Sequence, residues 1–213
     1  MIGFYNHTVV LTYVAVVSSV LGIFVLSSGK IELAIVFLMV SGICDVFDGK
    51  VARFRDKRNS REKIFGIQID SLSDVICFGL LPAMLNYRIS IQSEFNDVLI
   101  YNIFSVVISL LFVVAAVIRL GYFNVVEQER QSETSEERKV YQGLPVTTCA
   151  LILPLFYLLN PYIGMFFPVM FNILMLLISI LFVSNIKVTK VGIKGFVTLL
   201  AISFTTAILI IIF

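Results

Sequence analysis

The stretch 31–53 reads IELAIVFLMVSGICDVFDGKVAR, an apolar run that ends in two aspartates, a glycine and an arginine. A helix needs about 20 largely apolar residues to cross a bilayer, which predicts a membrane helix over 32–53. Carboxylates are costly at membrane depth and seldom lie there without a task. Asp45 and Asp48 therefore mark the end of this helix as a candidate functional site.

The composition of the whole chain agrees with a membrane protein. Of its 213 residues, 59% are hydrophobic and 14% are charged, against about a quarter charged in soluble domains. The mean hydropathy is +0.99. We therefore expect an all-α polytopic transmembrane helical bundle, with six core helices and a seventh C-terminal span, forming a single integral-membrane catalytic domain over 1–213. The apolar segments predict helices over 8–28, 32–53, 65–86, 98–125, 143–160, 163–186 and 193–213.

The distribution of lysine and arginine predicts the orientation in the membrane. Segment 50–63 contains seven of these residues, and segments 127–142 and 187–194 contain three each, whereas the opposite connections contain only Lys30 and Arg88. Basic residues concentrate on the cytoplasmic side of membrane proteins. We therefore expect the end of the second helix, with its aspartates, to face the cytoplasm. The basic charge of segment 50–63 can also attract anionic lipid head groups.

A shortage of histidine excludes several kinds of catalytic site. His7 is the single histidine in the chain, so a polyhistidine metal site is excluded, and so is any mechanism that needs two catalytic histidines. Catalysis must then depend mainly on carboxylates, lysine, tyrosine or cysteine.

The two motif helices each present a polar face. Asp45, Asp48, Gly49, Ala52 and Arg53 fall within an arc of about 140° on a helix. On the next helix, the small and acidic residues recur at four-residue spacing, which places them on one side. These are Gly66, Asp70 and Asp74. Since a short loop joins the two helices, we expect the four carboxylates to face one cleft.

Four carboxylates in one cleft repel one another unless a cation neutralises them. Mg²⁺ and Mn²⁺ prefer oxygen ligands, and a pair of such ions serves phosphate chemistry. The residues Gly49, Ala52 and Gly66 leave room for a ligand near the backbone, and Arg53 can pair with phosphate oxygens. Asp45, Asp48, Asp70 and Asp74 are therefore the candidate metal ligands.

The pattern D-x-x-D-G-x-x-A-R followed by G-x-x-x-D-x-x-x-D resembles the motif of the CDP-alcohol phosphotransferases. It begins at Asp45 and ends at Asp74. The connection 54–65 is longer than is common in that family. Three stretches, FGIQIDSLSDVICFGLLPA (65–83), RLGYFNV (119–125) and YQGLPVT (141–147), are similar to the branch formed by the integral-membrane bacterial CDP-diacylglycerol–serine O-phosphatidyltransferases.

The resemblance implies an activity and a set of roles. The phosphatidyl group of CDP-diacylglycerol would pass to the hydroxyl of L-serine, giving phosphatidylserine and CMP, in a bacterial cytoplasmic membrane. Two divalent cations, Mg²⁺ or Mn²⁺, would be bridged by Asp45 and Asp70, with Asp48 on one ion and Asp74 on the other. Asp74 is also the implied general base. The CDP donor would contact Asp48, Gly49, Ala52, Arg53 and Gly66. The family commonly forms homodimers, and membrane lipids but no nucleic acid are the other expected partners.

The acceptor is the open part of this interpretation. Arg119 is a candidate for binding the serine carboxylate, with Asn124 and Tyr141 adding hydrogen bonds. Snorkelling to the interface and binding of the lipid diphosphate are the alternatives for Arg119. Thr12, in LTYVAVV, is similar to a family threonine near the nucleotide.

Two other functions compete with the serine transferase. The same chemistry could use glycerol 3-phosphate or an inositol phosphate, but a phosphorylated acceptor needs additional basic residues, and few lie outside segment 50–63. An ion-coupled transporter also uses intramembrane acids, commonly near the midplane and within inverted repeats. Here the acids lie at one edge of the membrane, beside small residues and an arginine, which favours the transferase.

Overall fold

The computed structural model describes residues 7–53, 60–133, 140–189 and 193–212. Within these ranges the chain forms nine α-helices and one short ribbon, and π-helical and 3-10 turns join the helices into seven continuous segments. The helices are α1 (His7–Ser27), α2 (Ile31–Arg53), α3 (Ser60–Asp74), α4 (Leu81–Ile91), α5 (Leu99–Glu133), α6 (Cys149–Tyr157), α7 (Asn160–Ile163), α8 (Phe167–Val183) and α9 (Ile193–Ile212). A π-helical turn (Val75–Leu80) joins α3 to α4, a 3-10 turn (Val146–Thr148) precedes α6, and another (Gly164–Phe166) joins α7 to α8.

The chain is an integral membrane protein by the length and composition of its helices. Among the described residues, four helices are long and apolar enough to cross a bilayer: Val9–Ser27, Ile64–Ile91, Leu99–Glu129 and Asn160–Val183. The helix α2 has 23 residues but is not among these four, because its acidic and basic residues interrupt the apolar run. The all-α polytopic bundle expected from the sequence is confirmed.

The helices extend beyond their apolar segments in some places and end earlier in others. The third predicted helix, 65–86, is observed from Ser60 to Ile91, and the fourth continues to Glu133 instead of ending near 125. The fifth is shorter than predicted and ends at Tyr157. Hydropathy marks the part of a helix that lies in lipid, whereas a helix ends where its backbone hydrogen bonding ends.

The helices alternate in direction, which gives the bundle two polar ends. At the end that carries the C-terminus of α2, β1 (Val140–Gln142) pairs antiparallel with β2 (Lys187–Thr189). This ribbon ties the α5–α6 connection to the α8–α9 connection. At the far end, Tyr157 donates a hydrogen bond of 2.6 Å from its hydroxyl to Glu32 Oε1.

Close packing holds the helices between these ends. A Cβ atom on Gly42 of α2 would lie 2.7 Å from the Cβ of Ala150, so α2 and α6 approach each other at a position that requires glycine. The core combines aliphatic side chains with aromatic rings, and its largest fully buried side chains include Phe78, Phe112, Phe167, Phe171 and Phe182.

A neutral polar cluster lies within the bundle between α4, α5 and α8. Asn86 Nδ2 donates to Ser109 Oγ and to Asn172 Oδ1, each at 3.0 Å. Asn172 Nδ2 donates in turn to Ser90 Oγ at 3.0 Å and to the carbonyl of Pro168 at 2.9 Å. We call Asn86, Ser90, Ser109 and Asn172 the amide cluster. Its hydrogen bonds link three helices where water is scarce.

Candidate active site

Three aspartates from two helices meet at the ribbon end of the bundle. One carboxylate oxygen from each of Asp45, Asp70 and Asp74 lies within 4.8 Å of the other two. Asp45 and Asp74 are also within hydrogen-bonding distance of each other. We call these three residues the acidic cluster. The structure thus brings together three of the four acids that the sequence placed in one cleft.

The local sequence explains how these side chains meet. Asp70 and Asp74 are one helical turn apart on α3 and share a face. The helices α3 and α4 and the π-helical turn between them form one continuous helix. The helix α2 contacts it mainly at the π-helical turn and α4, while α3 packs against α1 and α5. The two motif helices therefore converge near the acidic cluster and are not packed side by side along their whole length.

Asp48 lies one turn beyond Asp45 and is placed differently from the other three acids. It lies outside the group of three oxygens, although it is near enough to interact electrostatically with Asp45 and Asp74. Asp48 is 7% exposed, and its Oδ2 accepts a hydrogen bond of 2.9 Å from Thr12 Oγ1. The site therefore includes a residue from α1 as well as residues from α2 and α3.

The donor set of the acidic cluster fits a hard divalent cation. All three groups are carboxylates, and Asp74 is buried while Asp45 and Asp70 are half-buried. Negative charges at this separation repel strongly where little water screens them. A small divalent ion with oxygen ligands would neutralise them. The cluster is thus suited to bind a metal ion.

Arg119 enters the site from α5. Its Nε donates to the carbonyl of Leu144 at 2.9 Å, its guanidinium lies 5.2 Å from the ring centroid of Phe123, and it interacts electrostatically with Asp45. The side chain is 8% exposed. Burial beside an acid argues against the snorkelling interpretation and places a cation next to the acidic cluster.

The ribbon fixes the loop that holds Arg119. Gly143 follows β1 with φ of +74°, and a Cβ atom there would lie 2.7 Å from the carbonyl oxygen of Phe182. Its N–H donates to Ile186 O at 2.8 Å. A side chain at Gly143 would be strained and would clash, so this turn requires glycine. The turn leads directly into Leu144, whose carbonyl accepts the hydrogen bond from Arg119.

The other two residues expected to bind the acceptor substrate, Asn124 and Tyr141, are described in different detail. Asn124 Oδ1 accepts a hydrogen bond of 2.8 Å from Ser71 Oγ, which joins α5 to α3 beside Asp70. The backbone of Tyr141 pairs with Val188 in the ribbon, while its side chain lies outside the described part of the structure.

The proposed donor contacts are described only in part. Gly66 is half-buried on α3, one turn before Asp70. The backbone of α2 is helical to Arg53, but the side-chain surroundings of Gly49, Ala52 and Arg53 lie outside the described residues. Residues 54–59 of the basic segment also lie outside them.

Comparison with known proteins agrees with this arrangement. The sequence profile of the CDP-alcohol phosphatidyltransferases matches residues 5–206, which is most of the chain. The chain belongs to the CDP-alcohol phosphatidyltransferase family. The aspartate motif and the acidic cluster lie within the matched residues. Members of this family use divalent metal ions, and the acidic cluster could hold one.

Curated relatives come from archaea, bacteria and yeast. The chain is 31% identical to the CDP-diacylglycerol–serine O-phosphatidyltransferase of Methanocaldococcus jannaschii, over 92% of this chain and 80% of the relative. It is 29% identical to the archaetidylserine synthase of Methanothermobacter thermautotrophicus, over 84% of this chain and 67% of the relative. The Saccharomyces cerevisiae CDP-diacylglycerol–serine O-phosphatidyltransferase is 36% identical over 57% of this chain, and the matched part spans 40% of that relative.

Proposed function

We propose that this protein transfers the phosphatidyl group of CDP-diacylglycerol to the hydroxyl of L-serine, producing phosphatidylserine and CMP. The observation that carries the proposal is the acidic cluster, which lies within the family motif at one end of a membrane bundle. The name of the M. jannaschii relative specifies a diacylglycerol lipid, and that of the M. thermautotrophicus relative an archaetidyl lipid, yet both names include serine. This supports serine as the acceptor.

Asp45, Asp48, Asp70 and Asp74 would hold two divalent cations, Mg²⁺ or Mn²⁺. Asp45 and Asp70 would bridge the ions, with Asp48 on one ion and Asp74 on the other. When bound, such ions neutralise the negative charge of a diphosphate and make its phosphorus easier to attack. The carboxylate donor set and the close approach of three of these acids support this assignment.

Asp74 would act as the general base. It would accept the proton of the serine hydroxyl as that oxygen forms a bond to the phosphorus attached to the lipid. The bond from this phosphorus to the oxygen of CMP breaks, and CMP leaves with the bonding electron pair. Asp74 is buried at the meeting point of α3 and the π-helical turn, so its carboxylate is shielded from bulk water.

Arg119 would bind the carboxylate of serine, with Asn124 and Tyr141 as further hydrogen-bonding groups. The hydrogen bond from Arg119 Nε to the carbonyl of Leu144 orients the guanidinium beside the acidic cluster. On the donor side, Gly49, Ala52 and Gly66 would admit the nucleotide close to the backbone, and Arg53 would pair with phosphate. A lipid-linked donor suits a site at the edge of an apolar bundle.

The cellular setting follows from the charge pattern. In the sequence, the basic segments 50–63, 127–142 and 187–194 adjoin the C-terminal ends of α2, α5 and α8, which supports a site at the cytoplasmic face of a bacterial cytoplasmic membrane. We also propose a homodimer, by analogy with the family. Crosslinking the protein in membranes and separating the products by size would test for the dimer.

The activity is tested with the protein purified in detergent and supplied with CDP-diacylglycerol, Mn²⁺ or Mg²⁺, and labelled serine. We expect release of CMP together with labelled lipid. Release of CMP with glycerol 3-phosphate or an inositol phosphate, but not with serine, would select the other acceptor. If no hydroxyl acceptor yields CMP, the transferase proposal is wrong, and an ion-coupled transporter becomes the next hypothesis to assay.

A further inference from the structure

The hydrogen bond between Thr12 and Asp48 joins α1 to the acidic end of α2. Thr12 Oγ1 donates to Asp48 Oδ2 at 2.9 Å, across 36 residues of sequence. Both side chains are buried, with Thr12 5% and Asp48 7% exposed. A buried hydrogen bond to a carboxylate is strong, because a charged acceptor is poorly solvated there.

Thr12 uses its hydroxyl in a way that differs from other hydroxyl residues of these helices. A buried serine or threonine in a helix can donate to the carbonyl four residues earlier. Ser73, Ser109 and Ser179 do so, at 2.7, 2.9 and 2.8 Å. The single proton of the Thr12 hydroxyl goes instead to a carboxylate on another helix. The contact is therefore between helices and concerns Asp48.

Other hydrogen bonds between α1 and α2 do not involve Asp48. Ser18 Oγ donates to the carbonyl of Phe37 at 2.9 Å, and Ser41 Oγ donates to that of Ala15 at 3.0 Å. The two helices pack along most of their length. Because the interface has these independent ties, removing the Thr12 hydroxyl should leave α1 in place.

We infer that Thr12 is a positioning residue, which holds the Asp48 carboxylate in the orientation that the site needs. Threonine is suited to this, since its branched side chain has few rotamers on a helix. With Asp48 Oδ2 held by Thr12, the other carboxylate oxygen of Asp48, Oδ1, has a fixed direction relative to the acidic cluster. The inference rests on the proposed role of Asp48 in holding a divalent cation, and it assigns the orientation of that ligand to α1.

The test compares Thr12→Val, which removes the hydroxyl at nearly constant volume, with Thr12→Ser, which keeps it. Ser18→Ala is the matched control, because it removes a buried hydroxyl from the same interface. Binding of Mn²⁺ to the full chain in detergent, without substrate, is measured by calorimetric titration. Loss of an outer partner of a metal ligand weakens metal affinity by about 10- to 100-fold. We expect at least about a tenfold loss for Thr12→Val, and affinities near that of the unaltered protein for the other two variants.

A second measurement separates orientation from folding. In a double-mutant cycle, Thr12→Val is added to Asp48→Ala, and the inference expects no further loss of Mn²⁺ affinity, since the oriented carboxylate is already gone. Wild-type affinity in Thr12→Val, an equal loss in Ser18→Ala, or full additivity in the cycle would overturn the inference. If the unaltered protein binds no Mn²⁺ and releases no CMP, the proposed function itself fails. If it does both while Thr12→Val is unchanged, only the role of Thr12 fails.

Discussion

The acidic cluster and the amide cluster both bury polar atoms in an apolar bundle, but they do so by opposite means. In the amide cluster, each amide nitrogen faces an oxygen acceptor, and the donation from Asn172 to Pro168 O fixes which way that amide points. The acidic cluster consists only of carboxylates. Donors matched to acceptors stabilise helix packing without any ligand, whereas acceptors facing one another require a proton or a cation. The comparison separates a structural polar site from a chemical one.

The largest expected effect is on the base. Asp74→Asn keeps the shape of the side chain but removes its ability to take a proton, so CMP release should fall by at least about a hundredfold. Donor binding, measured with CDP-diacylglycerol, should be largely kept. Asp97→Asn, at an exposed acid in the α4–α5 connection, is the control and should turn over normally. Normal turnover in Asp74→Asn would show that another group serves as the base.

Removal of metal should affect the acidic cluster alone. A chelator should abolish turnover and lower the melting temperature, since an ion at 100 times its Kd stabilises the folded state by about 2.7 kcal/mol. Added Mn²⁺ should restore both. Asp70→Asn should lose this Mn²⁺-dependent shift, while Asn172→Ala should keep it. A shift that persists in Asp70→Asn would place the metal elsewhere.

The amide cluster should affect stability and leave chemistry unchanged. Asn172→Ala removes one of the two acceptors of Asn86 Nδ2 and leaves one of its buried N–H groups unpaired, which costs about 1–3 kcal/mol. The melting temperature in detergent should fall, while the KM values for serine and donor stay unchanged in the folded fraction. Asn96→Ala, at an exposed position of the α4–α5 connection, should leave the melting temperature near that of the unaltered protein. A selective change in KM for Asn172→Ala would contradict the division between the two clusters.

The smallest of these effects concerns the acceptor. Arg119→Gln should raise the KM for serine by about tenfold, as expected for the loss of a charged hydrogen bond, with little change in the KM for the donor. Tyr122→Phe is the control, because it removes a hydrogen bond from the same helix to Gln142 in the ribbon. An increase confined to the donor KM would assign Arg119 to the lipid diphosphate.

The sequence predicts what depends on periodicity and composition. The seven continuous helical segments follow from apolar runs, and the meeting of Asp45, Asp70 and Asp74 follows from the spacing of these acids on consecutive helices. The roles given to these residues, and to Gly49, Ala52 and Arg53, stay predictions. Sequence spacing gives the face of a helix but not its crossing partner, so it could not show that α3 packs against α1 and α5.

The ribbon, the hydrogen bond from Thr12 to Asp48 and the amide cluster were not predicted from the sequence. The ribbon has three residues in each strand, too few for an alternating pattern to be recognised in polar connections. The link from Thr12 to Asp48 spans 36 residues and has no spacing rule. The amide cluster did leave a signal, because Asn86 and Asn172 interrupt apolar helices, where an unpaired amide is costly.

The π-helical turn has a consequence for how the two clusters are held in register. Leu81 N–H donates to Ile76 O, five residues back instead of four, so the helix carries the equivalent of one inserted residue between Asp74 and Asn86. Each residue of an α-helix turns the chain by about 100°. The turn therefore sets the phase between the half of this helix that carries Asp70 and Asp74 and the half that carries Asn86 and Ser90. Deleting one residue from 75–80 would keep every side chain of both clusters and rotate one cluster away from its neighbours.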